Sequence, residues 1–247
     1  MEHYRRVETD MTVAESRLQT LPSDRLIAEF SLWSADLLNL ETAIQRTEHL
    51  ADMYHLDACD GHVAPAFLLF PDLVRAMRRV TKLPFHVHLM ATQPIIHSQI
   101  EQFADAGADL ITIHFADGVD IDAALKEVRR HGCCAGVALP LDAPVCAVQP
   151  YLDGVFMVTL LGTATGLKGQ NLSPLAYARL EEIRGMLQSR CADTRVLVTA
   201  DGGIRQQTVP ELRAHGADGV VMGSLAFAND KLEETIKRIR ELPAPSW

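Results

Sequence analysis

Positive charge is scarce in this 247-residue chain: 23 Lys and Arg stand against 32 Asp and Glu, giving a formal net charge of -9. No run of Lys or Arg is interleaved with aromatics, so the electrostatic footprint of a nucleic-acid binder is missing and a small-molecule partner is expected instead. Cysteine is also sparse. Cys59, Cys133, Cys134, Cys146 and Cys191 form an odd count without CxxC spacing, which argues against a disulfide framework and a zinc ribbon and fits a reducing cytoplasm. Long apolar runs are absent: no window approaches the roughly 18 apolar residues of a membrane span. The first residues, MEHYRRVETDMTVAESRLQ, lack the apolar core of a signal peptide. The expectation is a cytoplasmic protein with neither nucleic acid nor membrane as a partner.

What is present is a large apolar fraction, 48%, enough for a sizeable core. From Leu26 onward, short runs rich in Val, Ile, Leu and Phe alternate with longer amphipathic stretches, the signature of βαβ units around a parallel sheet. Strands are expected at LIAEFSLW (26–33), MYHLD (53–57), FHVHLM (85–90), LITIHF (110–115), CAGVAL (134–139), GVFMVTL (154–160), RVLVTA (195–200) and GVVMG (219–223). Helical patterns fall between them, from LLNLETAIQRTEHL through a weak APVCAVQPYL to DKLEETIKRIREL. Several end at a glycine before the next strand, notably Gly107, Gly132 and Gly216, as a helix C-terminus favours. AGADLITIH and HGADGVVMG repeat one helix-exit and strand-entry device.

Eight such units predict a (β/α)8 barrel, since open doubly wound sheets usually stop at about five or six strands. The expected organisation is an N-terminal extension over residues 1–25, covering the barrel's bottom as a helix or arm, and one catalytic barrel over residues 26–247.

In such a barrel chemistry lies at the C-terminal ends of the strands. The segment YHLDACDGH (54–62) ends strand two with two histidines, two aspartates and a cysteine. Alternation puts His55 and Asp57 on one face, and His86 and His88 on one face of strand three. If those faces are interior, His55, Asp57, His88 and Asp201 converge. Two imidazoles and two carboxylates suit one divalent transition ion, Zn, Mn, Fe or Co, with positions left open for substrate oxygens. A lone histidine on a strand is more often a satisfied core residue, but four such groups together change that balance. After strands seven and eight, ADGGIRQQTV and VMGSLAFAND bring small residues where barrels often cradle phosphate through backbone N–H groups. Gly202, Gly203, Gly223 and Ser224 would let the backbone approach an anion, although DGG alone is equally a tight turn.

The order of motifs resembles the ribulose-phosphate 3-epimerase family from about Phe30 to the last helix. Its opening Ser-Ile-Leu followed by Ser-Ala-Asp resembles SLWSAD, and its His-x-Asp-x-Met-Asp-Gly-His resembles HLDACDGH. Its Asp-x-His-Leu-Met is similar to HVHLM, its Val-Asp-Gly-Gly-Ile to ADGGI, and its Gly-Ser-Ala-Ile-Phe to GSLAF. The resemblance implies metal ligands His55, Asp57, His88 and Asp201, with the two aspartates also forming the proton-transfer pair. It implies substrate contact at Ser31 and phosphate on Gly202, Gly203, Gly223 and Ser224; further substrate contacts are expected at Met90 in HVHLM and at Gly169 in the strand-six loop. The implied activity is inversion at C3 of a ketose phosphate. Proton removal beside a ketone is slow because the enediolate is unstable. A divalent ion near the carbonyl and adjacent hydroxyl stabilises that charge, and two carboxylates then suffice to invert the centre.

Departures from the pattern cluster where substrate would lie. The strand-six loop Pro-Gly-Phe-Gly-Gly-Gln is replaced by the longer LLGTATGLKGQ, which carries Lys168 before Gly169 and Gln170. Lys168 either reaches a phosphate or sugar oxygen or is a solvated loop lysine. Val-Pro-Asn becomes Ala64-Pro65-Ala66, the polar residue after strand five is Leu139, the glutamate after strand four is replaced near Ala116, and the methionine of the second motif is Cys59. Cys59 is expected to be a compact wall, and His62 and His114 to support the site without ligating. The expected substrate is therefore ribulose 5-phosphate or a related tetrulose, pentulose or hexulose phosphate, and the chain is expected to form a homo-oligomer. Two alternatives are a non-catalytic sugar-phosphate-binding barrel and a phosphate-binding barrel lyase. The lyase is disfavoured because none of the expected strands contains a lysine.

Overall fold

The computed structural model describes residues 11–190 and 194–245. The first ten residues of the expected extension, and Cys191, lie outside the described residues. Within them, eight parallel strands close in chain order: β1 (Ile27–Ser31), β2 (Met53–Cys59), β3 (Phe85–Met90), β4 (Leu110–His114), β5 (Cys134–Leu139), β6 (Met157–Leu161), β7 (Leu197–Asp201) and β8 (Gly219–Met222). Helix α1 (Val13–Leu18) precedes the barrel. Helices α2 (Leu40–Thr47), α3 (Pro71–Arg78), α4 (Gln93–Ala106), α5 (Ile121–Arg130), α6 (Leu175–Gln188) and α7 (Val209–Ala214) lie between successive strands, and α8 (Ser224–Phe227) and α9 (Leu232–Arg240) follow β8. The expected (β/α)8 barrel is the fold.

Strand entry explains the repeated sequence device. Asp109 and Asp218, each just ahead of a strand, accept a backbone N–H from the preceding strand's start: Phe85 N at 2.9 Å and Val198 N at 2.9 Å. Asp52, ahead of β2, does the same for Ala28 N at 2.8 Å. Each carboxylate also binds arginine, Arg17 and Arg78 on Asp109, Arg25 on Asp52, Arg184 and Arg195 on Asp218. A buried carboxylate thus ends with partners on both sides, as its desolvation requires. Gly107 and Gly216, ahead of two of these turns, and Gly132, ahead of β5, take positive φ, which only glycine adopts without strain.

Two expected elements differ in form. APVCAVQPYL is a 3-10 stretch, Val145–Tyr151, because Pro150 has no N–H to donate into an α-helical ladder. LLNLETAIQRTEHL is helical only over Leu40–Thr47, since Asp36 ties Leu38 N and the Asn39 side chain into a preceding turn. The bottom of the barrel is closed by Ile27, Met53, Leu110, Met157 and Leu197, and Leu18 of α1 packs into that cluster. Arg17 fixes the same helix to buried Asp109 at 2.8 Å. No helix among the described residues is long and apolar enough to cross a membrane.

Candidate active site

Period-two alternation sends Ile27, Glu29 and Ser31 of β1 to the interior, with Met53, His55 and Asp57 of β2, His86 and His88 of β3, and Leu197, Thr199 and Asp201 of β7. Reading upward, each strand begins in the apolar floor, passes through a buried polar layer and ends in the mouth. Cross-strand register then fixes neighbours: His55 is opposite Ser31 and His86, and Asp57 is opposite His88. Four groups converge at the top. His55, Asp57, His88 and Asp201 each offer one ligand atom, and these atoms all lie within 4.8 Å of one another.

His55 Nε2 lies 3.2 Å from Asp57 Oδ1 and 3.8 Å from Asp201 Oδ2. His88 Nδ1 lies 3.4 Å from Asp57 Oδ1 and 3.9 Å from Asp201 Oδ2. It is buried with no hydrogen-bond partner, an orphan that a bound cation would satisfy. Behind the cluster, His88 Nε2 is 3.0 Å from His114 Nδ1, and His55 Nδ1 is 2.8 Å from Glu29 Oε2. The Ser31 hydroxyl donates to Asp57 Oδ2 at 3.1 Å, which leaves Oδ1 facing the imidazoles.

Electrostatics separate the two carboxylates. Burial would raise both, but at Asp57 the charge and hydrogen bond of His55 outweigh it and hold the carboxyl well below its ordinary range. Asp201 lacks such a hydrogen bond; burial, helped by the negative charge of Asp57, raises it from 3.8 to about 6. Burial works against the charged form of His55, but Asp57 and Glu29 outweigh it and keep the ring protonated well above 6.5. Burial pushes Cys59 up to about 12, with Asp57 and Asp60 adding to it, so its thiol is no nucleophile. It donates to Met90 Sδ at 3.4 Å and forms part of the wall.

A cavity of about 330 Å³ opens above the cluster, and its lining brings together Ser31, Asp57, His88, Met90, Lys168, Gly169, Asp201, Gly202, Gly203, Gly223 and Ser224. His55, fully buried, lies beneath its surface. Gly202 takes φ +88, and a Cβ there would lie 2.2 Å from Thr163 Oγ1; at Gly223 it would lie 2.6 Å from Ser34 Oγ. Lys168 reaches across the mouth, donating to the Trp33 carbonyl at 2.6 Å with its ammonium 4.5 Å from the ring centroid. His62 is exposed and outside the cluster, and Asp60 is a loop tie that accepts the His62, Val63 and Thr92 N–H groups. Sequence reasoning missed Glu29 beneath the cluster and Trp33 and Arg205 in the cavity lining. The signal for Glu29 was a charged residue two before Ser31 in an otherwise apolar strand.

A closed barrel that gathers its ionisable groups at the C-terminal strand ends, under a cavity rimmed by small residues, is the architecture of a barrel enzyme. The chain belongs to the ribulose-phosphate 3-epimerase family, whose profile matches residues 27–227; it is an epimerase, in the isomerase class. It is 31% identical over 211 residues to the ribulose-phosphate 3-epimerase of Bacillus subtilis, covering 85% of this chain and 96% of the relative. The Treponema pallidum ribulose-phosphate 3-epimerase is 34% identical over 200 residues, covering 80% and 89%. A chloroplastic ribulose-5-phosphate-3-epimerase of Arabidopsis thaliana is 28% identical over 238 residues, covering 94% and 83%, so compartment differs among the relatives. Among solved structures, 3-hexulose-6-phosphate synthase of Salmonella typhimurium matches with TM-score 0.66 at 16% identity, over 88% of this chain and 98% of that one. At that identity the likeness concerns the fold alone. None of the eight strands carries the lysine a Schiff-base lyase needs.

Proposed function

We propose that the protein is a metal-dependent epimerase that inverts C3 of a ketose phosphate, with Asp57 and Asp201 as the proton-transfer pair. The substrate is ribulose 5-phosphate or a related tetrulose, pentulose or hexulose phosphate. One observation carries the reading: two imidazoles and two carboxylates meet within 4.8 Å at the base of the barrel-mouth cavity. The donor set, two nitrogens and two oxygens, fits Zn, Mn, Fe or Co better than magnesium. The orphaned Nδ1 of His88 supports the same ligand set. Such an ion supplies positive charge against the oxyanion that develops as a proton leaves the carbon beside a ketone.

The residues divide the remaining work. Asp57 takes the C3 proton in one direction and Asp201 returns one on the other face, the two roles exchanging in the reverse direction. Ser31 holds the far oxygen of Asp57, and Met90 with Cys59 forms an apolar wall beside the reacting carbon. Phosphate is assigned to the backbone around Gly202, Gly203, Gly223 and Ser224, where glycine is required by the close neighbours of any Cβ at Gly202 and Gly223. Gly169 and Lys168 line the same cavity.

The test is exchange in deuterated water. The metal-loaded protein, incubated with a panel of ketose phosphates, is expected to incorporate solvent deuterium at C3 of at least one member and to epimerise it. Binding of these sugars without exchange on any of them identifies a non-catalytic sugar-phosphate binder and overturns the proposal.

A further inference from the structure

Glu29 is fully buried inside the barrel. Its Oε2 receives two imidazole nitrogens, His55 Nδ1 at 2.8 Å and His86 Nδ1 at 2.8 Å. A carboxylate can only accept, so both nitrogens carry hydrogen. The other side of His86 is also tied, with Nε2 2.9 Å from the Thr112 hydroxyl. The two rings pack edge to face with centroids 4.6 Å apart. His55 therefore has no rotational freedom: with Nδ1–H committed to Glu29, its Nε2 must point at Asp57 and Asp201.

The position of His86 carries an aspartate in the Asp-x-His-Leu-Met pattern that HVHLM otherwise matches. This chain has His86 there, and a carboxylate, Glu29, approaches from β1, two strands away, to bond both His55 and His86. A buried carboxylate is costly unless it is paired; the two imidazole N–H groups satisfy Glu29 Oε2, while Oε1 has no hydrogen-bond partner.

We propose that Glu29 is the positioning residue of the metal centre: it fixes His55 as an Nε2 ligand, and Glu29 with His86 is a paired replacement for a carboxylate at position 86. The proposal rests on the metal reading above. A carboxylate behind a ligating imidazole fixes the ring's tautomer and orientation, and its loss typically lowers metal affinity about 10- to 100-fold.

The experiment uses the full-length, demetallated chain as wild type, Glu29→Ala, Glu29→Gln and the double variant Glu29→Ala/His86→Asp. Each is titrated with Co²⁺, following the visible ligand-field spectrum and competition with a chelator, while circular dichroism monitors folding. The wild type is expected to bind one equivalent. Glu29→Ala should bind about 10- to 100-fold more weakly with an altered spectrum, and the double variant should recover affinity and spectrum. If Glu29→Ala misfolds, Glu29→Gln keeps the volume and one acceptor oxygen and should still weaken binding. A folded Glu29→Ala or Glu29→Gln with wild-type affinity and spectrum overturns the role of Glu29. Two equivalents in the wild type, one of them lost in Glu29→Ala, would make Glu29, His55 and His86 a second metal site instead. A wild type that takes up no Co²⁺ defeats the metal reading itself, whatever Glu29 does.

Discussion

Asp57 and Asp201 approach the same atom, His55 Nε2, at 3.2 Å and 3.8 Å, yet the first is held ionised and the second holds its proton to about pH 6. Their environments differ because Asp57 accepts hydrogen bonds from His55 and Ser31, while Asp201 lacks them and keeps the full effect of burial beside the charge of Asp57. Asparagine keeps the size and one oxygen but cannot carry a proton between faces. Asp57→Asn and Asp201→Asn should each lower epimerisation by about a hundred- to ten-thousandfold. With metal content verified on each variant, one of them is expected to retain deuterium washout from a single epimer without inversion. Near-normal epimerisation in either would remove that aspartate from the mechanism.

Chelation should abolish activity, and Mn, Co, Fe or Zn should restore it. Ligation at His55 Nε2 displaces the proton that Asp57 and Glu29 hold on that ring, and below about pH 6 it displaces one from Asp201 as well. Metal uptake should therefore release protons and weaken as pH falls. Calorimetry in buffers of different ionisation enthalpy measures the release; full activity of a metal-free sample would remove the ion from the mechanism.

The metal-free chain should show a specific pH dependence of stability. With its carboxyl raised from 3.8 to about 6, folded Asp201 keeps a proton that the unfolded chain has already released. Stability contributed by this group therefore falls as pH rises through that window, and the deficit is complete above about 6. Asp57 acts in the opposite sense, so the comparison needs a variant. The melting temperature of metal-free Asp201→Asn should gain on wild type by roughly a few degrees across the window and then level off. A difference that stays flat from pH 4 to 7 would contradict the assigned shift.

Lys168 ties the strand-six loop to Trp33, and both residues depart from the family's motif. Lys168 is exposed, so this tie is worth about 1 kcal/mol or less. Lys168→Met is expected to raise KM by roughly twofold to fivefold and to speed proteolysis within residues 162–172. Turnover on ribulose 5-phosphate should be slower than on the preferred sugar of the panel. If ribulose 5-phosphate is the best of a broad panel, the loop has not rebuilt the pocket.

At the other end of the barrel, Leu18 is 2% exposed and plugs the floor. Leu18→Ala should cost about 2–5 kcal/mol of stability, seen in urea unfolding, with kcat/KM unchanged below the transition. A loss of activity in the folded variant would mean that the floor also shapes the site.

The eight strands were legible because burial on both faces writes near-continuous apolar runs, and the helix ends because glycine alone takes positive φ cheaply. The site was legible in part for a local reason. His55 and Asp57 are two residues apart on one strand, and the barrel places every strand's C-terminal end at one mouth. Boundaries drifted where proline or a side-chain tie acted within a turn, as at Pro150 and Asp36. What the tertiary structure alone decided are relations between strands and loops far apart in the chain. Glu29 meets His86 across 57 residues, and Lys168 meets Trp33 across 135. Periodicity tells which face a residue occupies, but barrel closure and cross-strand register set its height and neighbours, and those depend on the packing of all eight strands together.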